Sequence, residues 1–124
     1  MKKLLFIPFL FICSMVIGQS SKIIGTPIKI GNLEVAQNDF PKTMSWSAAN
    51  DSCTDLGSGW RLPTKDELNL LYINKDKIGG FAKNYYWSST ELDSYNAWRQ
   101  GFSDGDQFFV YMDDGNAVRA VRSF

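Results

Sequence analysis

The stretch "GWRLPTKDEL" occupies residues 59–68. Thr64 and Glu67 form a Thr-x-x-Glu capping box, in which each side chain satisfies a backbone N–H that the first turn of a helix leaves unpaired. Pro63 keeps Leu62 extended and stops the helix from starting earlier. Leu68, Leu70, Leu71 and Ile73 follow, with Gly79-Gly80 beyond, so the spacing predicts a helix over 64–76 with an apolar face. Trp60 and Leu62 are expected to enter the core just ahead of it. Arg61 has two readings. It is either an anion-binding residue or a structural one whose five donors tie down loop carbonyls or a carboxylate. Two apolar neighbours favour the structural reading.

Upstream, "TMSWSAANDSCTDLG" (43–57) carries helical signals. Thr43 or Ser45 can cap the start, Trp46, Ala49, Cys53 and Leu56 fall on one face, and Gly57 supplies the stop. Cys53 reads as a small buried hydrophobe on that face. Further back, Ile28/Ile30 and Leu33/Val35 alternate around Gly31-Asn32, which predicts a strand or hairpin. Residues 19–27 are polar and read as a flexible lead.

Downstream of 84 the helical signals stop. "NYYWSSTELDSYNAW" is aromatic and rich in Ser, Thr and Asn, a loop-and-strand composition. "AWRQGF" (97–102), "QFFVYM" (107–112) and "AVRAVRSF" (117–124) are three β-type runs separated by Asp-Gly turns. They predict a three-stranded antiparallel meander at the C-terminus. Val118 and Val121 do not alternate strictly, which calls for a bulge or burial on both sides.

The first residues have the three parts of a secretory signal peptide: Lys2 and Lys3, an apolar run from Leu4 to Ile17, then Gly18. The run is shorter than the roughly 20 residues a spanning helix needs. Val16 and Gly18 place the cut after Gly18, making 1–18 the signal and Gln19 the new N-terminus. Bulky Leu10-Phe11-Ile12 argues against lipid modification at Cys13. The remaining 106 of 124 residues suit one domain with one modest core and contain no membrane span. Without Lys2 and Lys3, 11 basic residues face 13 acidic ones, a net charge of −2 that argues against a nucleic-acid partner. Cys53 is then a lone cysteine, so the core must hold the domain without an internal disulfide. The absence of histidine removes the commonest general base and metal ligand.

Taken in order, "MSWSAANDSCTDLGSGWRLPTKDELNLLY" (44–72), "YYWSSTE" (85–91), "AW" (97–98) and "VRAVR" (118–122) resemble the Lcl C-terminal domain, also known as domain of unknown function 1566. Its pattern is a Trp-x-x-Ala helix, a WRLP-[ST]-x-x-E-L joint, a YWSST segment and a terminal VR-x-VR. The resemblance assigns the domain to 28–124. It implies a C-type-lectin-like α+β fold, with two helices flanking a small twisted antiparallel sheet and the chain ends brought together. The major-paralogue domain of fibrolytic bacteria is similar at Trp-Ser-Ser-Thr-Glu. The adhesin that names the family binds sulfated polysaccharides, which implies surface recognition. This chain departs from it in its acidic net charge and in having no collagen-like stalk, and both weigh against a sulfated ligand. Within the motifs, Trp87 and Trp98 are expected in the core, and Ser88, Ser89 and Thr90 on loop backbone. One of Arg119 and Arg122 is expected to pair with an internal carboxylate.

Three functions remain open. The first is an exported noncatalytic binding module for a glycan or another surface ligand, such as a surface protein. Its contacts would come from roughly 77–96 and the 103–106 turn: Glu91, Asp93, Tyr95, Asn96, Asp104 and Asp106. Asp104, Asp106, Asp113, Asp114 and Asn116 also offer hard oxygen ligands for calcium. The spacing is not an EF-hand, however, and two Asp-Gly turns explain these residues without a metal. The reading therefore takes no cofactor. The second is a structural or assembly subunit of the cell envelope. The third is an enzyme, because "RLPTKDEL" is similar to the formylglycine-generating enzymes. Those need a copper-holding cysteine pair, which Cys53 alone does not supply. Without histidine, a hydrolase would need a Ser-Lys arrangement or a carboxylate pair, for which Glu91/Asp93 and Asp104/Asp106 are candidates by composition only.

Overall fold

The computed structural model describes residues 20–124, so the expected signal segment lies outside the described residues. Residues 20–24 form a helical turn, α1. The lead is therefore tied down rather than loose: Gln37 N–H donates to Ile24 O at 2.9 Å, and Asn38 N–H donates to Ile23 O at 3.1 Å. Ile24 also packs on the core, and this apolar contact repays the ordering of an otherwise polar stretch.

The hairpin forms as β1 (Ile28–Ile30) and β2 (Leu33–Val35), with Ile30 opposite Leu33. Gly31 takes φ +59°, which the two-residue turn requires. Helix α2 (Trp46–Asp55) is capped by Ser45 and buries Ala49 and Cys53. Burial pushes the Cys53 thiol up to about 12, so it stays protonated and unreactive. Helix α3 (Lys65–Ile73) starts at Thr64 with both capping-box hydrogen bonds present. It stops three residues short of the expected end, and a separate turn, α4 (Lys75–Ile78), carries Ile78 into the core. Leu68 and Leu71 are buried, but Ile73 is 68% exposed, because it falls outside the inward arc of the helix.

Strands β3 (Tyr85–Glu91), β4 (Asn96–Gly101) and β5 (Gln107–Tyr111) form the second sheet, in that order. A three-stranded meander is thus present, but it begins one strand earlier than the sequence suggests. The last strand, β6 (Val121–Ser123), leaves it and pairs with β2, Val35 opposite Val121. Residues 116–121 are all buried and run between the two halves of the core. Ala117 and Val121 pack with Leu33, Leu68, Leu71 and Tyr86 on one side. Val118 and Ala120 pack with Cys53, Trp60, Leu62 and Trp87 on the other. This is the two-sided burial that the irregular alternation requires, and it explains why the run cannot be an outer strand of a meander.

Candidate functional site

The WRLP joint is structural. Arg61 donates to both carboxylate oxygens of Glu67, at 2.6 and 3.0 Å, and to Ser123 Oγ. The Arg61 hydrogen bond holds the Glu67 carboxyl below its ordinary range, aided by the Thr64 N–H. The Arg61 backbone exchanges two hydrogen bonds with Val121, both 2.9 Å, which ties the joint to β6. Both terminal arginines pair as well, where one was expected. Arg119 donates from Nε to Asp39 at 2.6 Å, and Arg122 donates to Glu34 on the facing strand at 3.2 Å. Their three-residue offset is accommodated because the chain enters β6 between them.

The WSST segment sets the shape of the second sheet. Trp87 is fully buried and donates from Nε1 to Met44 O, while Trp46 Nε1 donates to Ser88 O. Ser88 Oγ donates to Trp98 O and accepts from Thr90 N–H. These bonds hold an irregularity between Trp87 and Glu91, where the β3–β4 register shifts.

Helix α3 covers only one end of this sheet. Gln107 Nε2 donates to Lys65 O, and Gln100 Nε2 donates to Asn69 Oδ1. In the β4–β5 ladder Trp98 faces Phe109 and Asn96 faces Tyr111. Side chains alternate along a strand, so Asn96, Trp98, Phe109 and Tyr111 continue the same face past the helix. Phe109 is 50% exposed, Tyr111 69% and Tyr95, in the preceding loop, 73%. Trp98 is therefore not a core residue. It lies partly buried on this open face, edge-on to Phe109 at 5.7 Å, with the Lys65 ammonium 3.5 Å from its ring centre.

The six residues expected at a ligand site fall into two groups. Glu91, Asp93, Tyr95 and Asn96 gather at the β3–β4 turn, next to Tyr111. Asp93 Oδ1 accepts from the Tyr95 and Asn96 N–H groups, and the Tyr95 bond in particular lowers its pKa. Asp104 and Asp106 lie at the far end of β4, where Asp104 accepts from Asp106 N–H. The length of β4 separates the groups by about 17 Å. Asp114 is held by Arg99 at 2.9 Å. Among the described residues, no three or more His, Cys, Asp or Glu side chains are grouped to hold a metal ion. Sequence reasoning missed Phe109, Tyr111 and Lys65 as site residues. The pattern in "QFFVYM" places Phe109 and Tyr111 together but does not say which face a helix covers.

The profile of the Lcl C-terminal domain matches residues 28–122. The chain belongs to the Lcl C-terminal domain family. No curated protein matches it. Among solved structures, this Lcl C-terminal domain is similar to botrocetin, with TM-score 0.61, 11% identity and coverage of 81% of this chain and 98% of botrocetin. The snake venom toxin convulxin gives TM-score 0.61, 9% identity and coverage of 81% and 96%. EMS16, an antagonist of the collagen receptor integrin alpha2beta1, gives TM-score 0.59, 9% identity and coverage of 79% and 97%. Identities this low show the fold alone, and that fold is the C-type-lectin-like α+β architecture.

Proposed function

We propose that this Lcl C-terminal domain is an exported, noncatalytic binding module that recognises a glycan through the open aromatic face of β4 and β5. The observation that carries this reading is the run of exposed rings, Tyr95, Phe109 and Tyr111, beside Trp98. Aromatic rings stack on the apolar faces of sugars. Asn96, Glu91 and Asp93 stand beside the rings and can bond to hydroxyls. The fold also supports binding: botrocetin, which shares it, forms a complex with the von Willebrand factor A1 domain. The reading takes no metal. Around the rings, Glu91, Asp93 and Asp113 outnumber Lys65, which favours a neutral sugar over a sulfated one.

A glycan array tests this, run on the exported protein with calcium and with chelator, at low and physiological salt. Selective binding at physiological salt that persists in chelator is the expected result. Tyr111→Ala should then weaken binding about tenfold, equivalent to about 1.4 kcal/mol, without changing the melting temperature. Asp104→Asn should leave binding intact. A folded protein that binds no glycan would overturn the reading and favour an envelope assembly role.

A further inference from the structure

The second sheet has two edges, and they are treated differently. The β3 edge is covered: Ala117 N–H donates to Tyr85 O at 2.8 Å, and Trp87 N–H donates to Ala117 O at 3.1 Å. The β5 edge is not. Two bonds bracket its ladder with β4, Gly101 N–H to Asp106 O at 3.0 Å and Met112 N–H to Tyr95 O at 2.8 Å. Antiparallel pairs alternate, so Phe108 and Val110 also turn their backbone groups toward β4. Gln107, Phe109 and Tyr111 turn theirs outward. Among the described residues the N–H groups of these three, and the carbonyls of Gln107 and Phe109, have no partner. Natural sheets blunt such an edge with a proline, a lysine or a bulge, and β5 has none of these.

We propose that the β5 edge binds an extended peptide segment of a partner protein, which adds as a fourth strand, with apolar side chains at alternate positions and Lys or Arg at both ends. The centre of the edge is apolar, since Phe109 and Tyr111 stand beside the free backbone groups. Both of its ends are acidic. Asp104 and Asp106 precede the strand and Asp113 follows it, all three exposed, while the neighbouring Asp114 is already paired with Arg99. The same acids disfavour a second copy of this chain. In a symmetric pairing centred on Phe109, Asp113 of one copy would face Gly105 of the other, between its Asp104 and Asp106, and like charges brought together across a strand pair are destabilising. Backbone pairing of this kind supplies affinity, while the alternate side chains and the flanking charges select the sequence. The inference uses main-chain donors that glycan stacking does not need, so either proposal can fail without the other.

The test is selection of a displayed random decapeptide library on the exported full-length protein, followed by affinity measurement on the enriched peptides. Enriched peptides should carry alternating apolar residues between basic ends, and N-methylation of alternate peptide backbone nitrogens should weaken binding about tenfold. On the protein side, Phe109→Pro removes an outward N–H without touching the β4 ladder, so the fold should persist. It should bind ~3–10-fold more weakly than Phe109→Ala, which loses the ring but keeps the donor. Failure to enrich, enrichment of acidic peptides, or N-methylated peptides that bind equally well would each overturn the proposal. So would dimerisation of the protein alone in sedimentation equilibrium.

Discussion

The Arg119 guanidinium has no side-chain exposure and is held on three sides. Nε donates to Asp39, Nη1 to Ala36 O and Nη2 to Gly79 O. The Phe81 ring lies 4.1 Å from the guanidinium carbon. Asp39 in turn accepts from the Tyr86 hydroxyl, which itself accepts from Ala82 N–H. One arginine thus joins the segment after β2, the loop after α4 and the final crossing. Removing one member of a buried pair strands the other charge, so Arg119→Ala should destabilise the domain by about 3 kcal/mol. Urea denaturation with an unchanged m-value is the measurement. A shift below about 0.5 kcal/mol would show the pair to be incidental. The arginine was visible in the sequence as part of VR-x-VR. Its partner was not, because Asp39 lies 80 residues away and no local pattern links them.

At the scale of one element, the start of α3 is the part most legible from sequence, since a capping box is a local device between residues three apart. Thr64→Ala should cost about 1 kcal/mol and leave ligand binding unchanged, as read by thermal melting and the array. Glu67 has a second task that the sequence did not disclose, its bidentate bond to Arg61. Its folded pKa lies below the ordinary value of 4.5, chiefly because of that bond. The stabilisation is therefore complete above about pH 4.5 and is lost as pH falls through the lower folded value. Glu67→Gln keeps a cap but loses the charge, so the variant should be less stable at pH 7 and should lose less on acidification. Parallel acid titrations by circular dichroism would show it; identical slopes in the two proteins would remove Glu67 from the acid response. The sheet was harder to read. "AVRAVRSF" has β composition, but composition does not reveal that both its sides are buried, nor that its pairing partner is β2 rather than β5. The open face raised the same difficulty. Phe108, Phe109, Val110 and Tyr111 are all β formers, and only the position of α3 decides which of them water reaches.

Over the whole molecule, closure depends on the last strand. β6 is hydrogen-bonded to β2 on one side and to Arg61 on the other, and Phe124 N–H reaches Asn32 O at 3.1 Å. β6 therefore joins the first hairpin to the WRLP joint, and among the described residues no disulfide repeats that link, because Cys53 is free and buried. Val121 belongs to the core cluster that holds Leu33, Leu68 and Leu71. Deleting 121–124 would strip the outer edge of β2, remove a fully buried valine and unpair Glu34 from Arg122. A core of this size leaves a net stability of only about 5–15 kcal/mol, and losing a strand together with its packing consumes a large share of it. The truncated protein should show no cooperative thermal transition and should expose the tryptophan-lined core to a hydrophobic dye. A single-residue control, Phe124→Ala, should melt within a few degrees of the parent, since Phe124 is 57% exposed. If the truncation melts cooperatively near the parent temperature, the closure is a consequence of folding and not one of its causes. The two sheets would then have to be stable through α2, α3 and the crossing segment alone.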